Sequence, residues 1–180
     1  MNFDELVTTI IEPIFFEYGF TLKEKFENFF YFINKSAEAV VSHNHLDKTN
    51  LFQIGRAGES LDTVYDVAIS QIFGVDIKIE EVTKETFVFN LAKFLKNEGK
   101  PLLKGNSDKL LAIRTYVKRR SHEYTEALLQ GQTLAAADKA WEKGDFKEFI
   151  KLIRQADLKN LPGSYTLKYK IAVKKNSKSN

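Results

Sequence analysis

Phe29-Phe30-Tyr31-Phe32-Ile33 places five large apolar side chains in a row. A strand with one face on a core alternates apolar with polar residues, because successive side chains point to opposite faces. This run does not alternate, so both faces of the strand it forms call for an apolar neighbour or a partner. Turn-forming residues bound it, Glu27-Asn28 before and Asn34-Lys35-Ser36 after. What covers each face of this strand is therefore the first question the chain poses.

The segments around it divide by hydrophobic period. Phe3, Leu6, Val7, Ile10, Ile11, Ile14, Phe15 and Tyr18 fall on one face of a helix over 3–18. Asn2 is placed to cap its start, and Asp4 and Glu5 suit the positive end of its dipole. Pro13 removes an amide and predicts a kink against the carbonyl of Thr9, and Gly19 closes the helix with Phe20 folding back on the last turn. Extended segments follow at Phe20–Phe26, Phe29–Ile33, from Ala39 through Val41, and from Leu51 to Ile54 before Gly55. Joined by short turns, these four strands read as an antiparallel meander. Ser60 is placed to cap a helix carrying Leu61, Val64, Tyr65, Ala68, Ile69, Ile72 and Phe73 and ended by Gly74; Val75, Ile77 and Ile79 alternate as a short edge strand would.

From Thr83 the period is helical. Phe87, Leu91, Phe94 and Leu95 define one helix closed by Gly99 and Pro101. Ser107 opens a long one through Leu110, Ile113, Val117, Tyr124 and Leu128, which Gly131 is expected to end. Thr133 to Lys143 and Asp145 to Gln155 form a helical hairpin about Gly144, with Asp145 and Glu148 at capping-box spacing. Residues 164–174 read two ways. Tyr165, Leu167, Tyr169, Ile171 and Val173 alternate as a strand, whereas a helix presenting Tyr165, Tyr169 and Ala172 would continue the hairpin and is preferred. The expected fold is α+β: an N-terminal helix, four-stranded antiparallel meander and helix over 1–82, then a helical half over 83–180 with a basic tail from about 175.

Composition narrows the classes of function. With no cysteine, disulfides, thiol nucleophiles and cysteine–zinc sites are excluded. The first twenty residues carry four acids and no base, the opposite of a secretory leader, and no apolar run reaches the length of a membrane span. A soluble cytoplasmic protein without membrane contact is expected. Residues 1–100 hold 16 acidic and 10 basic side chains, net −6, and residues 101–180 hold 8 and 17, net +9. Such asymmetry marks either a binding face or two halves that attract each other.

Candidate chemistry is sparse. His43-Asn44-His45-Leu46-Asp47 has the H-x-H-x-D spacing with which the metallo-β-lactamase-type hydrolase motif begins, and on an extended chain the three side chains point one way. Lys48 stands where that motif needs a further histidine, and His122 is the one other histidine in the chain. A metal-dependent hydrolase at His43, His45 and Asp47 is accordingly an alternative reading. Lys118, Arg119 and Arg120, with Lys109 and Arg114, make a nucleic-acid contact a second alternative, although Glu123 and Glu126 follow at once. Gly55-Arg56-Ala57-Gly58 lacks the Gly-Lys-Ser/Thr of a phosphate loop, and no serine sits on a nucleophile elbow. Trp141 in Ala-Trp-Glu-Lys-Gly-Asp-Phe is placed as in a tetratricopeptide-like hairpin, but no second copy of the pattern is present. No cofactor is implied.

Several signals together resemble a group of small bacterial α+β proteins, several of them toxin-immunity proteins. They are Glu17-Tyr18-Gly19-Phe20 closing the first helix, the aromatic strands after it, Gly55 to Gly58 before Leu61, and then Gly144-Asp145-Phe146, Leu161-Pro162-x-Ser164 and Lys168-Tyr169. The resemblance transfers no catalytic residue. It implies a non-enzymatic protein-binding module that neutralises a protein partner, such as a toxin enzyme, by occlusion. Phe30, Tyr31 and Phe32 are the candidate partner-binding residues, and a homodimer is compatible with the same surface.

Overall fold

The chain begins with a reciprocal capping box. The Glu5 amide donates to Asn2 Oδ1 at 2.8 Å and the Asn2 amide to Glu5 Oε2 at 3.0 Å, satisfying two otherwise orphan donors. The helix that follows is built in three pieces: α1 (Phe3–Leu6), a π-helical segment (Val7–Ile11) and α2 (Glu12–Glu17). Pro13 explains the middle piece. An α-helical proline clashes with the carbonyl four residues back, and the wider turn, in which the Glu12 amide reaches Val7 O, sets Pro13 at the start of a fresh α segment. At the far end Gly19, at φ 74°, closes a Schellman motif in which Phe20 N donates to Phe15 O at 3.1 Å and Gly19 N to Phe16 O at 3.0 Å.

The computed structural model describes residues 1–156 and 161–177. Its fold is α+β. Five strands, β1 (Thr21–Phe26), β2 (Phe29–Ile33), β3 (Ala37–Asn44), β4 (Thr49–Arg56) and β5 (Asp62–Thr63), lie in sequence order and every neighbouring pair is antiparallel. The register aligns Phe30, Val41 and Phe52 across three strands, and Phe32, Ala39 and Ile54 beside them. All six are buried and form the core face. Phe15 stacks on Phe32 at 4.4 Å between ring centroids, and Phe3 meets Phe30 at 6.4 Å and Phe87 at 6.3 Å. The N-terminal helix thus covers this face. The apolar run in β2 resolves into two sets: Phe30 and Phe32 in the core, and Phe29, Tyr31 and Ile33 half-buried on the opposite face. At the edge of the sheet, the β1–β2 register shifts between Leu22 and Glu24, so that Lys23 sits in a bulge.

Around the sheet lie α3 (Asp66–Phe73), α4 (Lys84–Lys96), α5 (Lys100–Leu103) and the start of α6 (Ser107–Glu142). The helix expected from Ser60 begins at Asp66 instead, because the preceding residues continue the sheet: β5 pairs with Gln53 and Ile54, and Val64 N donates to Phe52 O at 2.9 Å. Residues 75–80 are not a strand. The amides of Ile79 and Glu80 donate to Asp66 Oδ1 at 2.7 and 3.1 Å, while Ile77 and Ile79 drop into the core. Thr83 caps α4 through the Thr86 amide, and Phe87, Leu91, Phe94 and Leu95 are buried. Asn34 joins three elements. Its Oδ1 accepts from the amides of Ser36 and Ala37, and its Nδ2 donates to Tyr18 O and Leu103 O.

The chain divides into two compact units, Met1–Lys118 and Arg119–Asn180. The division falls inside α6 and not at 82, since Phe87, Leu91, Phe94, Leu102, Leu110 and Ile113 share one apolar cluster with the sheet. Gly131 does not end α6, which runs 36 residues to Glu142. In the second unit the C-terminal part of α6 pairs with α7 (Phe146–Gln155) and α8 (Gly163–Asn176) around Ala137, Ala140, Phe149, Ile150, Ile153 and Ala172. Gly144 makes the hairpin turn at φ 73°. Asp145 caps α7 by accepting from Glu148 N at 3.0 Å, and the Glu148 carboxylate pairs with Lys151. Residues 164–174 are helical, and Asp138 anchors α8 by accepting from Tyr165 Oη and Lys168 Nζ at 2.5 and 2.7 Å.

The two faces of β2 differ in energetic weight. Phe32→Ala should lower the unfolding free energy by about 3–5 kcal/mol, whereas Phe29→Ala on the other face should cost about 1 kcal/mol or less. Urea denaturation of the two variants measures the contrast.

Candidate functional site

The face of the sheet opposite the core is an aromatic surface assembled by strand pairing. Phe26 pairs with Phe29 at the β1–β2 turn, with ring centroids 5.9 Å apart, and Tyr31 and Ile33 follow at two-residue spacing along β2. Phe26 is 64% exposed. Tyr31 lies opposite Val40, which is buried and lies opposite Gln53.

Tyr31 is held by a built network. Its hydroxyl donates to Glu38 Oε2, and Gly58 N donates to Glu38 Oε1 at 2.9 Å. Lys23, in the β1 bulge, sets its ammonium 4.7 Å from the Tyr31 ring centroid. Both oxygens of a carboxylate only 9% exposed are thereby engaged. The Tyr31 hydrogen bond, followed by that from Gly58, holds the Glu38 carboxyl below its usual range, and the same bond, with burial, pushes Tyr31 up to about 12. The glycines of the 55–58 turn serve this arrangement. A Cβ at Gly55 would lie 2.7 Å from Ser60 O, and Gly58 adopts φ 79° as it turns its amide to Glu38. The loop is tied down from the other side by Arg114, whose Nε donates to Asp62 at 2.9 Å, Nη1 to Glu59 at 2.5 Å and Nη2 to Ser60 O at 2.9 Å. The result is a tyrosine ring presented on a rigid sheet with its polar tip already satisfied.

Of the three aromatic residues singled out from the sequence, the structure places only Tyr31 on this surface. Phe30 and Phe32 are fully buried on the core face and offer nothing to a partner. Phe26, Phe29 and Ile33 belong to the surface in their stead. The signal for them was the two-residue period running through Tyr31, hidden because both faces of β2 are apolar.

The histidine cluster does not form. His43 Nδ1 lies 2.9 Å from Asn50 Oδ1, whose amide Nδ2 in turn donates to Val82 O at 2.8 Å. The strand ends at Asn44, so His43 lies on the strand and His45 in the turn that follows. Asp47 Oδ1 accepts from the amide and hydroxyl of Thr49 at 3.0 and 2.6 Å, closing that turn. Among the described residues, no three His, Cys, Asp or Glu side chains converge as a metal site would require. The groove beside the histidines, about 570 Å³, is also lined by Lys48, Lys84, Glu81 and Glu85, a mixture of signs. Lys118, Arg119 and Arg120 are exposed but consecutive on a helix. With 3.6 residues per turn they fan over more than half its circumference, and Arg119 pairs with Glu123 at 3.8 Å.

No described helix is long and apolar enough to cross a membrane. Comparison with protein-family models, with curated proteins and with solved structures returns no match.

The Tyr31–Glu38 pair has a defined pH signature. The Glu38 contribution to stability is complete above pH 4.5 and is lost as pH falls through its lowered folded value. The Tyr31 contribution is complete below pH 10.0 and is lost as pH rises toward 12. The difference in denaturation midpoint between the wild type and Glu38→Gln should therefore close at acid pH. Phenolate absorbance should show Tyr31 among the last tyrosines to ionise, a component that Tyr31→Phe removes.

Proposed function

We propose that the protein is a non-enzymatic, cytoplasmic protein-binding module of the toxin-immunity type, and that it neutralises its partner by covering it with the open face of the sheet. The observation that carries this reading is the ordered aromatic surface of Phe26, Phe29, Tyr31 and Ile33, exposed at Phe26 and half-buried along β2, while the other face of the same strand is sealed in the core. Aromatic anchors on a rigid strand contribute most to interface energy, since little side-chain freedom is lost when they are covered. Tyrosine suits the role especially well, and here its hydroxyl needs no new partner on binding. The resemblance of the helix-closing and turn motifs to immunity proteins supports the same class.

The test is to purify the chain from its native cells, recover a stoichiometric partner, and measure its affinity for variants. Phe29→Ala and Tyr31→Ala should each weaken binding by at least about tenfold, the scale of an interface anchor, while Leu167→Ala, exposed on α8, should leave it unchanged. No stoichiometric partner, or full affinity after Phe26, Phe29 and Tyr31 are replaced together, would overturn the proposal.

A further inference from the structure

The middle of α6 has an unusual surface. Residues 124–135, Tyr-Thr-Glu-Ala-Leu-Leu-Gln-Gly-Gln-Thr-Leu-Ala, contain one charged side chain, although none of the twelve is buried and most are exposed. Charge crowds both ends of this window, with Lys118, Arg119, Arg120 and Glu123 before it and Asp138, Lys139, Glu142 and Lys143 after. Exposed helices normally carry charge all along the solvent side, and depletion of charge is the compositional mark of an interface centre.

One stripe of this window combines its largest exposed side chain with its smallest residues, while Leu129, 57% exposed, lies off it. Tyr124, Leu128, Gly131 and Ala135 recur at 4,3,4 spacing and so share one side of the helix. Tyr124 is 71% and Leu128 50% exposed. Leu134, Ala137, Ala140 and Trp141, which pack into the bundle with α7 and α8, lie on the other side. Glu126, the lone charge, also points away from the stripe by helical spacing. The hydroxyls of Thr125 and Thr133 bond back to Ser121 O and Leu129 O, each at 2.9 Å, so they bring no unmet polar demand to the surface. Gly131 has no atom within 4 Å of where a Cβ would stand, so nothing within the chain requires a glycine there. A glycine in a helix interior is costly by about 1 kcal/mol relative to alanine.

The order of sizes identifies the occupant. The stripe runs large, large, small, small. Turned antiparallel about a point between Leu129 and Gln130, it matches itself. Leu128 then falls on Gly131 of the second copy and Tyr124 on Ala135 of the second copy, and the reverse. A parallel pair would set large on large and leave a gap at the small end. It would also align the two helix dipoles, which the antiparallel arrangement opposes. We propose that two copies of this chain associate through residues 124–135 of α6 as an antiparallel, two-fold-symmetric helix pair, with Tyr124 and Leu128 seated on the small residues of the other copy. The contact is isologous and closes at two. Twelve residues span roughly 18 Å of helix, short of the roughly 800 Å² per partner of a standard stable interface, so the dimer is weak and reversible. This surface belongs to the second unit and is separate from the sheet face that the proposed partner would cover.

Sedimentation equilibrium of the full chain from about 10 to 500 μM, a range suited to micromolar affinity, tests the pairing. The wild type should pass reversibly from monomer to dimer, and Leu128→Lys should remain monomeric with an unchanged circular dichroism spectrum. Gly131→Ala separates the interface from the helix itself. In dilute solution it should raise the melting temperature, because its Cβ meets nothing within the protomer. It should nonetheless weaken association several-fold, because that Cβ fills the seat of Leu128 from the second copy. A wild type monomeric throughout, a dimer that survives Leu128→Lys, or one tightened by Gly131→Ala would each overturn the proposal.

Discussion

The stack of Phe15 on Phe32 decides which face of the sheet is inside. The two rings lie nearly parallel, at 3°, and they can meet only if the N-terminal helix crosses the sheet in one rotational setting. Pro13 and the π-helical turn ahead of it act on that setting, since a widened turn rotates every residue that follows. The Schellman closure at Gly19 then returns the chain into β1, and Asn34 fastens the helix end to the β2–β3 turn and to α5. A proline that looks like a local flaw in the first helix is thus part of what orients the whole first unit.

Much of this unit could be read from residue order. The cap at Asn2, the closure at Gly19, the four longer strands and α4 all rest on short-range patterns whose partners lie within a few residues. The misreadings share a different cause. Asp66 takes the amides of Ile79 and Glu80, thirteen and fourteen residues away, which converts an apparent edge strand into a tethered loop. The histidine spacing reads as the start of a ligand set, but the strand stops between the two rings, Asn50 meets His43 Nδ1, and Thr49 holds Asp47 Oδ1 in the turn. Gly131 reads as a terminator because glycine usually is one, and only the continuous helix through it shows otherwise. The identity of the aromatic surface was half legible. Tyr31 does lie on the outer face, but five apolar residues in a row conceal which three face outward until something covers the other two.

The first unit concentrates polar precision around one turn. Glu38, Gly58 and Arg114 spend their hydrogen bonds on holding the 55–62 loop and the Tyr31 ring in place. Active sites tend to leave reactive groups poised and incompletely satisfied, whereas binding surfaces gain from groups that are already satisfied and therefore stiff. The acidic bias of the first hundred residues and the basic bias of the remainder would act before contact, by steering long-range approach, and less on the strength of the final fit.

The bulge at Lys23 has one further consequence. A sheet with a partly exposed aromatic face and an open six-residue edge has the ingredients on which chains stack into fibrils. A regular β1 would offer its unpaired amides and carbonyls to any extended segment. The register shift between Leu22 and Glu24 breaks that row in the middle, and Lys23 and Lys25 would set positive charge against positive charge if two edges met in register. The irregularity that positions a lysine over Tyr31 is thus also a guard on the edge, against its pairing with a second copy of itself.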